Sequence, residues 1–585
     1  MSSVFLIIQS DRDIEPSLAV EASRYLPFVP EQCVEHSYDN GHTKLYAWST
    51  VSECARGSYW AADETGALVY QGWVEEALDA PMKQSIAANL RTRFAKDDFE
   101  FSLQNVEGDF ALVSIDSTGD VQAGTDFIGG SHLYYGEKNG ISVVSNRALV
   151  AATALHGGAL PEPDPLPMAW LHYVFTSFLG EDTPWPNIKH LRSHELLKMR
   201  GGRCEIRDKQ PDSSGSTMSW DEVADEFKTR CAQVSRVPNV SFQLTLTGGK
   251  DSRAVLGGLV ASGNLDRIKA TYLYVHPKHP DAIVGQRLAD HYGLPFEVRQ
   301  EGYGSSMSFW ETLERHNFHT EGALNAWDRK GFEPKTRLGD IRGYYGEIFK
   351  SHEVPGLGLG WPVVEKVYLA PPFLDPRNVL TDAARQHCRE GLQRWILHYR
   401  NLGLPARHAH NLIHRDCRMT RWVGQAMQWD ATGPTCLNPI PSRRLYNRYV
   451  QSSRRDQKNH RFYYELMHRT DPWLAEQSFA NYQWKASVVA PGASAARATK
   501  GSISATDYRY AEVERESEAI KDFLLSPSNA GAFFDVFDRG RLEKGLKRAF
   551  AKPSTPRLKL VFGACATRLL LTDGIKPSPI AFPSA

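Results

Sequence analysis

Through the first 155 or so residues, apolar positions fall in short β-branched or aromatic runs. Val4-Phe-Leu-Ile-Ile8, Ala67-Leu-Val-Tyr70, Phe110-Ala-Leu-Val-Ser-Ile115 and Ile141-Ser-Val-Val144 are bounded by Gly, Asp and Asn and predict strands. Met82–Phe94 follows the helical period instead. Pro161, Pro163, Pro165 and Pro167 then occupy alternate positions of Gly157–Pro167, a spacing that forbids helix and central strand and marks a linker. From about Ser219 the pattern becomes helix and strand in turn. Trp220–Val234 reads as a helix leading into a strand, Ile268–Val275 as a second strand, Asp281–Tyr292 as a helix and Pro295–Val298 as a third strand. Such alternation predicts a parallel sheet covered on both faces, with ligand at the carboxyl ends of its strands. The remainder reads as largely helical, apart from Ala490–Thr506, whose Ala, Ser and Gly content reads as a mobile loop.

Composition narrows the class. A chain of 585 residues exceeds what one core holds, so two or more domains are expected. Lys+Arg and Asp+Glu are both 68, so no net charge recruits nucleic acid or a membrane surface. A basic run at Arg454, Arg455, Lys458 and Arg461 is diluted by Asp456 and reads as a solvated or site-flanking helix face. Cys33, Cys54, Cys204, Cys231, Cys388, Cys417, Cys436 and Cys565 are scattered without a C-x-x-C pair, which argues against zinc or a redox dithiol. The apolar start is too short for a signal peptide, and no run reaches the roughly 18 residues of a membrane span. A cytoplasmic protein with reduced thiols is expected.

The most informative stretch is Phe242-Gln-Leu-Thr-Leu-Thr-Gly-Gly-Lys-Asp-Ser-Arg253. A strand ends at Leu246 and Thr247. Gly248 and Gly249 then let the backbone turn tightly and present N–H groups to an anion. The helix that follows adds its positive end, with Ser252 as a further donor. Asp251 would repel phosphate but hold Mg²⁺ against it. The Walker A spacing is absent, and an ordinary Gly-rich turn is the plain alternative.

These residues resemble the Ser-Gly-Gly-x-Asp-Ser loop of ATP pyrophosphatases, with Thr247 in place of the first Ser. Three more segments resemble asparagine synthetase and its relatives in the same order. Glu107–Ala111 with Asp126–Tyr135 is similar to the later half of their glutaminase domain, Thr183–Leu191 to the bridge, and Cys436–Leu445 to a late Pro-Phe-Leu-Asp segment. The resemblance runs to about residue 490. It implies an α/β protein with an Ntn-hydrolase-like αββα glutaminase-type domain over 1–156. A bridge over 157–218 and an ATP-pyrophosphatase (synthetase) domain over 219–585, with a parallel sheet and many helices, would follow.

Departures from the family are equally informative. Active glutaminases carry Cys after the initiator Met; here Ser2 stands there, and the glutamine-holding Asn-Gly-Glu is replaced by Gln71-Gly72-Trp73. A retired glutaminase is expected, and an amine already on the substrate would replace ammonia. That resembles β-lactam synthetases and lasso-peptide macrolactam synthetases. In Gly343-Tyr344-Tyr345-Gly346-Glu347, the resemblance places Glu347 as a second metal ligand beside Asp251 and Tyr344 as a catalytic base, with Gly343 at the nucleotide. Asp416 and Asp430 compete as the acidic partner of Tyr344. Lys485 matches the family's catalytic Lys by its distance from Pro439.

The resulting expectation is an AMP-forming amide ligase that uses ATP and Mg²⁺. Its substrate would be a peptide or small molecule bearing amine and carboxylate, with a partner protein to deliver a precursor peptide. The alternatives are a glutamine- or ammonia-dependent amidotransferase and a non-catalytic scaffold. A tRNA-thiolating enzyme would want paired cysteines and a basic surface.

Overall fold

The computed structural model describes residues 3–50, 59–75, 86–210, 218–233, 241–299, 307–323, 338–350, 360–430, 436–489, 499, 513–528, 530–551 and 554–580. Ser2, and Ala490–Thr506 apart from Thr499, lie outside these residues.

The N-terminal half holds β1 Ser3–Ser10, β2 Cys33–Asp39, β3 Thr43–Thr50, β4 Trp60–Asp63, β5 Gly66–Val74 and β6 Gly108–Ile115. They are followed by β7 Val121–Thr125, β8 Tyr134–Lys138, β9 Ile141–Ser145, β10 Ile188–His190, β11 Glu195–Arg200 and β12 Arg203–Asp208. They form two antiparallel six-stranded sheets, ordered β10-β8-β9-β1-β3-β2 and β12-β11-β7-β6-β5-β4. Alternation along β1 explains the layering. Phe5 and Ile7 meet Val69, Ala111, Val113 and Leu197 of the facing sheet. Val4, Leu6 and Ile8 point the other way, towards the helices Ser17–Ser23 and Ala148–Leu155. On the far side, Leu68, Tyr70 and Leu112 pack against Ile86–Lys96 and Phe99–Gln104. The result is the four-layer αββα arrangement. Each large apolar side chain fully buried between layers contributes about 1.5–3 kcal/mol.

The stretch 157–218 does more than bridge. Residues 160–164 contain neither helix nor strand, in keeping with the prolines. Beyond them, however, β10 joins one sheet and the β11–β12 hairpin extends the other. Arg203-Cys-Glu-Ile-Arg-Asp208 is largely polar because it is an edge strand with alternate residues in solvent.

In the C-terminal half, β13 Phe242–Thr245, β14 Ile268–Tyr274, β15 Phe296–Arg299, β16 Gly339–Ile341 and β17 Cys436–Leu437 form a parallel sheet. Its order is β15-β14-β13-β16-β17, so the winding direction reverses between β13 and β16. That reversal opens a crevice at the carboxyl ends of these two strands. The halves are joined by buried charge: Arg147, at the start of Ala148–Leu155, lies 3.1 Å from Glu321 at the end of Phe309–Thr320, both almost wholly buried. Among the described residues, no helix is long and apolar enough to cross a membrane.

Candidate active site at the sheet's switch point

Two loops meet in the crevice. One follows β13 and runs from Leu246 into the helix Lys250–Ala261; the other follows β16 and carries Gly343 to Glu347. They touch backbone to backbone: a Cβ on Gly343 would lie 2.7 Å from the amide nitrogen of Ser252. One on Gly346 would fall on the Asp251 carboxylate and the Tyr463 hydroxyl. Both glycines are therefore required by close approach.

The first loop is held from within. Thr247 N–H donates to Ser252 Oγ at 3.0 Å, Gly249 N–H donates to Thr247 Oγ1 at 3.1 Å, and Gly248 N–H donates to Asp281 Oδ1 at 3.0 Å. Thr247 thus does the turn-bracing work of a serine hydroxyl. Leu246 turns its side chain into the core and gives its N–H to the Tyr272 carbonyl, so only its backbone belongs to the loop. No side chain caps the helix Lys250–Ala261 at Gly249, which leaves its first turn available to an anion.

Charge is concentrated where the loops meet. Lys350 Nζ donates to Asp251 Oδ2 at 2.6 Å, while Asp251 Oδ1 is buried and makes no hydrogen bond. Tyr463, beside it, gives its hydroxyl to the Gly346 carbonyl at 2.6 Å. Burial would raise the Glu347 carboxyl, but His414, Lys350 and Arg418 outweigh it and hold it down to about 2. His414 Nε2 lies 3.4 Å from Glu347. Both His414 and Arg418 come from the π-helical stretch His414–Val423, whose wide turn is common at functional sites. On the other side, Lys250 Nζ sits 3.4 Å above the Tyr482 ring. Burial, then Lys350, lowers its ammonium to about 8.

Asp251 and Glu347 therefore share the cation Lys350, although 99 positions separate Lys350 from Asp251. Two carboxylates with one buried oxygen left over fit a hard divalent cation such as Mg²⁺, whose preferred ligands are oxygens.

Tyr344 lies at the rim. Arg342 Nη1 donates to its hydroxyl at 3.0 Å, and the guanidinium also pairs with Asp340. The acid nearest Tyr344 in this chain of contacts is thus Asp340, reached through Arg342. Asp416 is committed elsewhere: it accepts from Trp395, from Tyr399 and from Arg415. The Asp430 side chain lies outside the described residues. Lys485 is exposed, and among the described residues its ammonium pairs with no carboxylate. Its segment nonetheless docks on the first loop, since Ala480 N–H donates to the Gly248 carbonyl and Tyr482 carries Lys250.

Sequence reasoning passed over Lys350, His414, Arg418, Arg342 and Lys250. Only Lys250, between Gly249 and Asp251, carried a local signal.

No family model and no curated protein matches this chain. Among solved structures, it is similar to the glutamine phosphoribosylpyrophosphate amidotransferase from B. subtilis complexed with ADP and GMP. That likeness has 12% identity over 58% of this chain and 75% of that one, at a TM-score of 0.25. A structure of the allosteric regulatory enzyme of purine biosynthesis is similar at 13% identity over 58% and 74%, with a TM-score of 0.26. Likeness at this level carries no argument about chemistry; the geometry has to supply it.

Proposed function

We propose that this chain is an ATP-dependent, AMP-forming amide ligase that adenylates a substrate carboxylate and closes an amide within the same substrate. The observation that carries the reading is the meeting of Asp251 and Glu347 around Lys350, at the uncapped start of the helix Lys250–Ala261. A triphosphate needs this combination of N–H groups, cations and carboxylates for its metal. When bound, Mg²⁺ held by Asp251 and Glu347 would neutralise phosphate charge.

The residues then divide the work. The helix start and Lys250 hold the phosphates while the substrate carboxylate oxygen attacks the α-phosphorus. The bond from that phosphorus to the bridging oxygen breaks, and pyrophosphate leaves. The substrate amine attacks the acyl carbon, and AMP departs with the acyl–oxygen electron pair. Tyr344, as the phenolate that the Arg342 guanidinium against its oxygen stabilises, takes the amine proton. Lys485, on the segment that docks on the first loop through Ala480 and Tyr482, steadies the acyl oxygen in this reading. Holding amine against acyl carbon is a large part of the rate, because closing a ring in solution is entropically costly.

An internal amine is favoured over ammonia by what the N-terminal half does with its residues. Gln71 accepts from Asn146 at 2.7 Å, and Trp73 is buried beneath the Arg230 guanidinium, whose centre lies 5.1 Å from its ring. Both side chains are engaged in structure and, among the described residues, neither is placed to clamp a glutamine. A peptide macrolactam or a small lactam is the proposed product.

The test is incubation of Mg·ATP with precursor peptides and small amino acids bearing both groups. The proposal expects AMP and pyrophosphate together with a product lighter by one water. ADP would overturn it, and glutamate release from glutamine would favour an amidotransferase.

A further inference from the structure

The β11–β12 hairpin meets the last turn of the helix Asp382–Asn401, and three ligating side chains converge there. His194 precedes β11 and Asp208 ends β12, two positions held side by side because Lys209 N–H donates to the His194 carbonyl at 2.7 Å. His398 comes from the helix, and its ring stacks on that of His194 with centroids 4.4 Å apart. His194 Nε2 lies 3.8 Å from Asp208 Oδ1, and His398 Nδ1 lies 4.0 Å from Asp208 Oδ2. One ligand atom from each of the three falls within 4.8 Å of the others.

We infer that His194, His398 and Asp208 form a binding site for a zinc-type divalent ion that staples the hairpin to the helix. Two observations carry this. First, donors on one tetrahedral zinc stand about 3.4 Å apart, so the imidazole–carboxylate distances of 3.8 and 4.0 Å close with shifts of about half an ångström. Second, both ring nitrogens of His194 are buried without a hydrogen bond. A neutral imidazole has one N–H and one lone pair to satisfy, and leaving both unmet is costly. A metal takes up the lone pair.

The surroundings permit the charge. Arg192 and Arg415 are nearby cations, but each is paired, with Glu195 and Asp416 respectively. Lys209 gives its ammonium to the carbonyls of Thr125 and Ser193. Asp208 is about half exposed and provides the entry side. Two imidazoles and one carboxylate select zinc over magnesium, which prefers an all-oxygen shell.

The experiment is titration of Zn²⁺ alone into chelator-stripped full-length chain, with Asp208→Asn and His398→Gln beside it. One zinc should bind per chain, undisplaced by a large excess of Mg²⁺, and should raise the melting temperature. Affinity should fall by at least about tenfold in Asp208→Asn and about a hundredfold in His398→Gln. No zinc-dependent rise in the wild type, or equal binding by both variants, would overturn the inference. Asp208 is exposed, so its variant decides the matter if His398→Gln fails to fold.

Discussion

Lys350 Nζ lies 2.6 Å from Asp251 Oδ2, so a lysine neutralises the carboxylate assigned to the metal. The same ammonium helps to hold Glu347 ionised. Lys350 is thereby a stand-in for the cation that the two carboxylates are built to hold. Lys350→Met should leave them facing one another with less positive charge to compensate, His414 and Arg418 beside Glu347 and Lys250 beside Asp251 remaining. Binding of Mn²⁺ without nucleotide, followed by its paramagnetic signal, should strengthen by about tenfold, on the order of the 1.4 kcal/mol worth of one modest charge contact. AMP formation should fall, because a cation is lost where the two loops meet.

Lys250 gives a pH signature. Burial, then Lys350, lowers it to about 8, so above that pH the free chain carries it largely neutral. Incoming phosphate charge favours the ammonium and raises it again. Binding of Mg·ATP at pH 8.5 should therefore take up a fraction of a proton, read by calorimetry in buffers of different ionisation enthalpy. Lys250→Gln should abolish that uptake.

A second prediction on pH concerns the interface between the halves. Asp109 accepts from Ser131 and from Asn438, each at 3.0 Å, and with Asp126 forms a buried acidic pair. Burial and then Asp109 push Asp126 up to about 7, and burial raises Asp109 as well. A carboxyl raised in the folded state binds its proton more tightly there than when unfolded. Its contribution is present below about pH 4 and is lost as pH rises through 7. In Asp109→Asn the Asn438 amide can flip to present its buried, unbonded Oδ1 to the new amide. The variant should lose less stability than the wild type between pH 5 and pH 8. At pH 8 it should be the more stable of the two by at least about 1 kcal/mol in urea unfolding.

Glu321 tests the joint itself. Glu321→Gln leaves the Arg147 guanidinium buried without its counter-charge. Unfolding by urea should show a loss of about 3–5 kcal/mol. A loss under 1 kcal/mol would mean the halves are held together by other contacts.

How far the sequence reached follows from where each signal is stored. The strands of the αββα layers and the helices around β13 to β15 were legible because their apolar period is local. The Gly248–Ser252 loop was legible for the same reason: a tight turn onto a helix needs glycine at fixed offsets. The hairpin Glu195–Asp208 was not, since half of β12 faces solvent and carries no hydrophobic period. Lys350, His414 and Arg418 could not be read at all. Their roles depend on the sheet reversing between β13 and β16 and on a π-helical turn, and both are tertiary facts.

Mg·ATP occupancy of the crevice is tested most directly by calorimetric titration of Mg·ATP into the wild type and Asp251→Asn, which needs no knowledge of the acyl substrate. The predicted result is saturable binding that requires Mg²⁺ and weakens by at least about tenfold in the variant, the loss expected for one metal-holding carboxylate. Binding unchanged in Asp251→Asn, or no binding by the wild type, would contradict it.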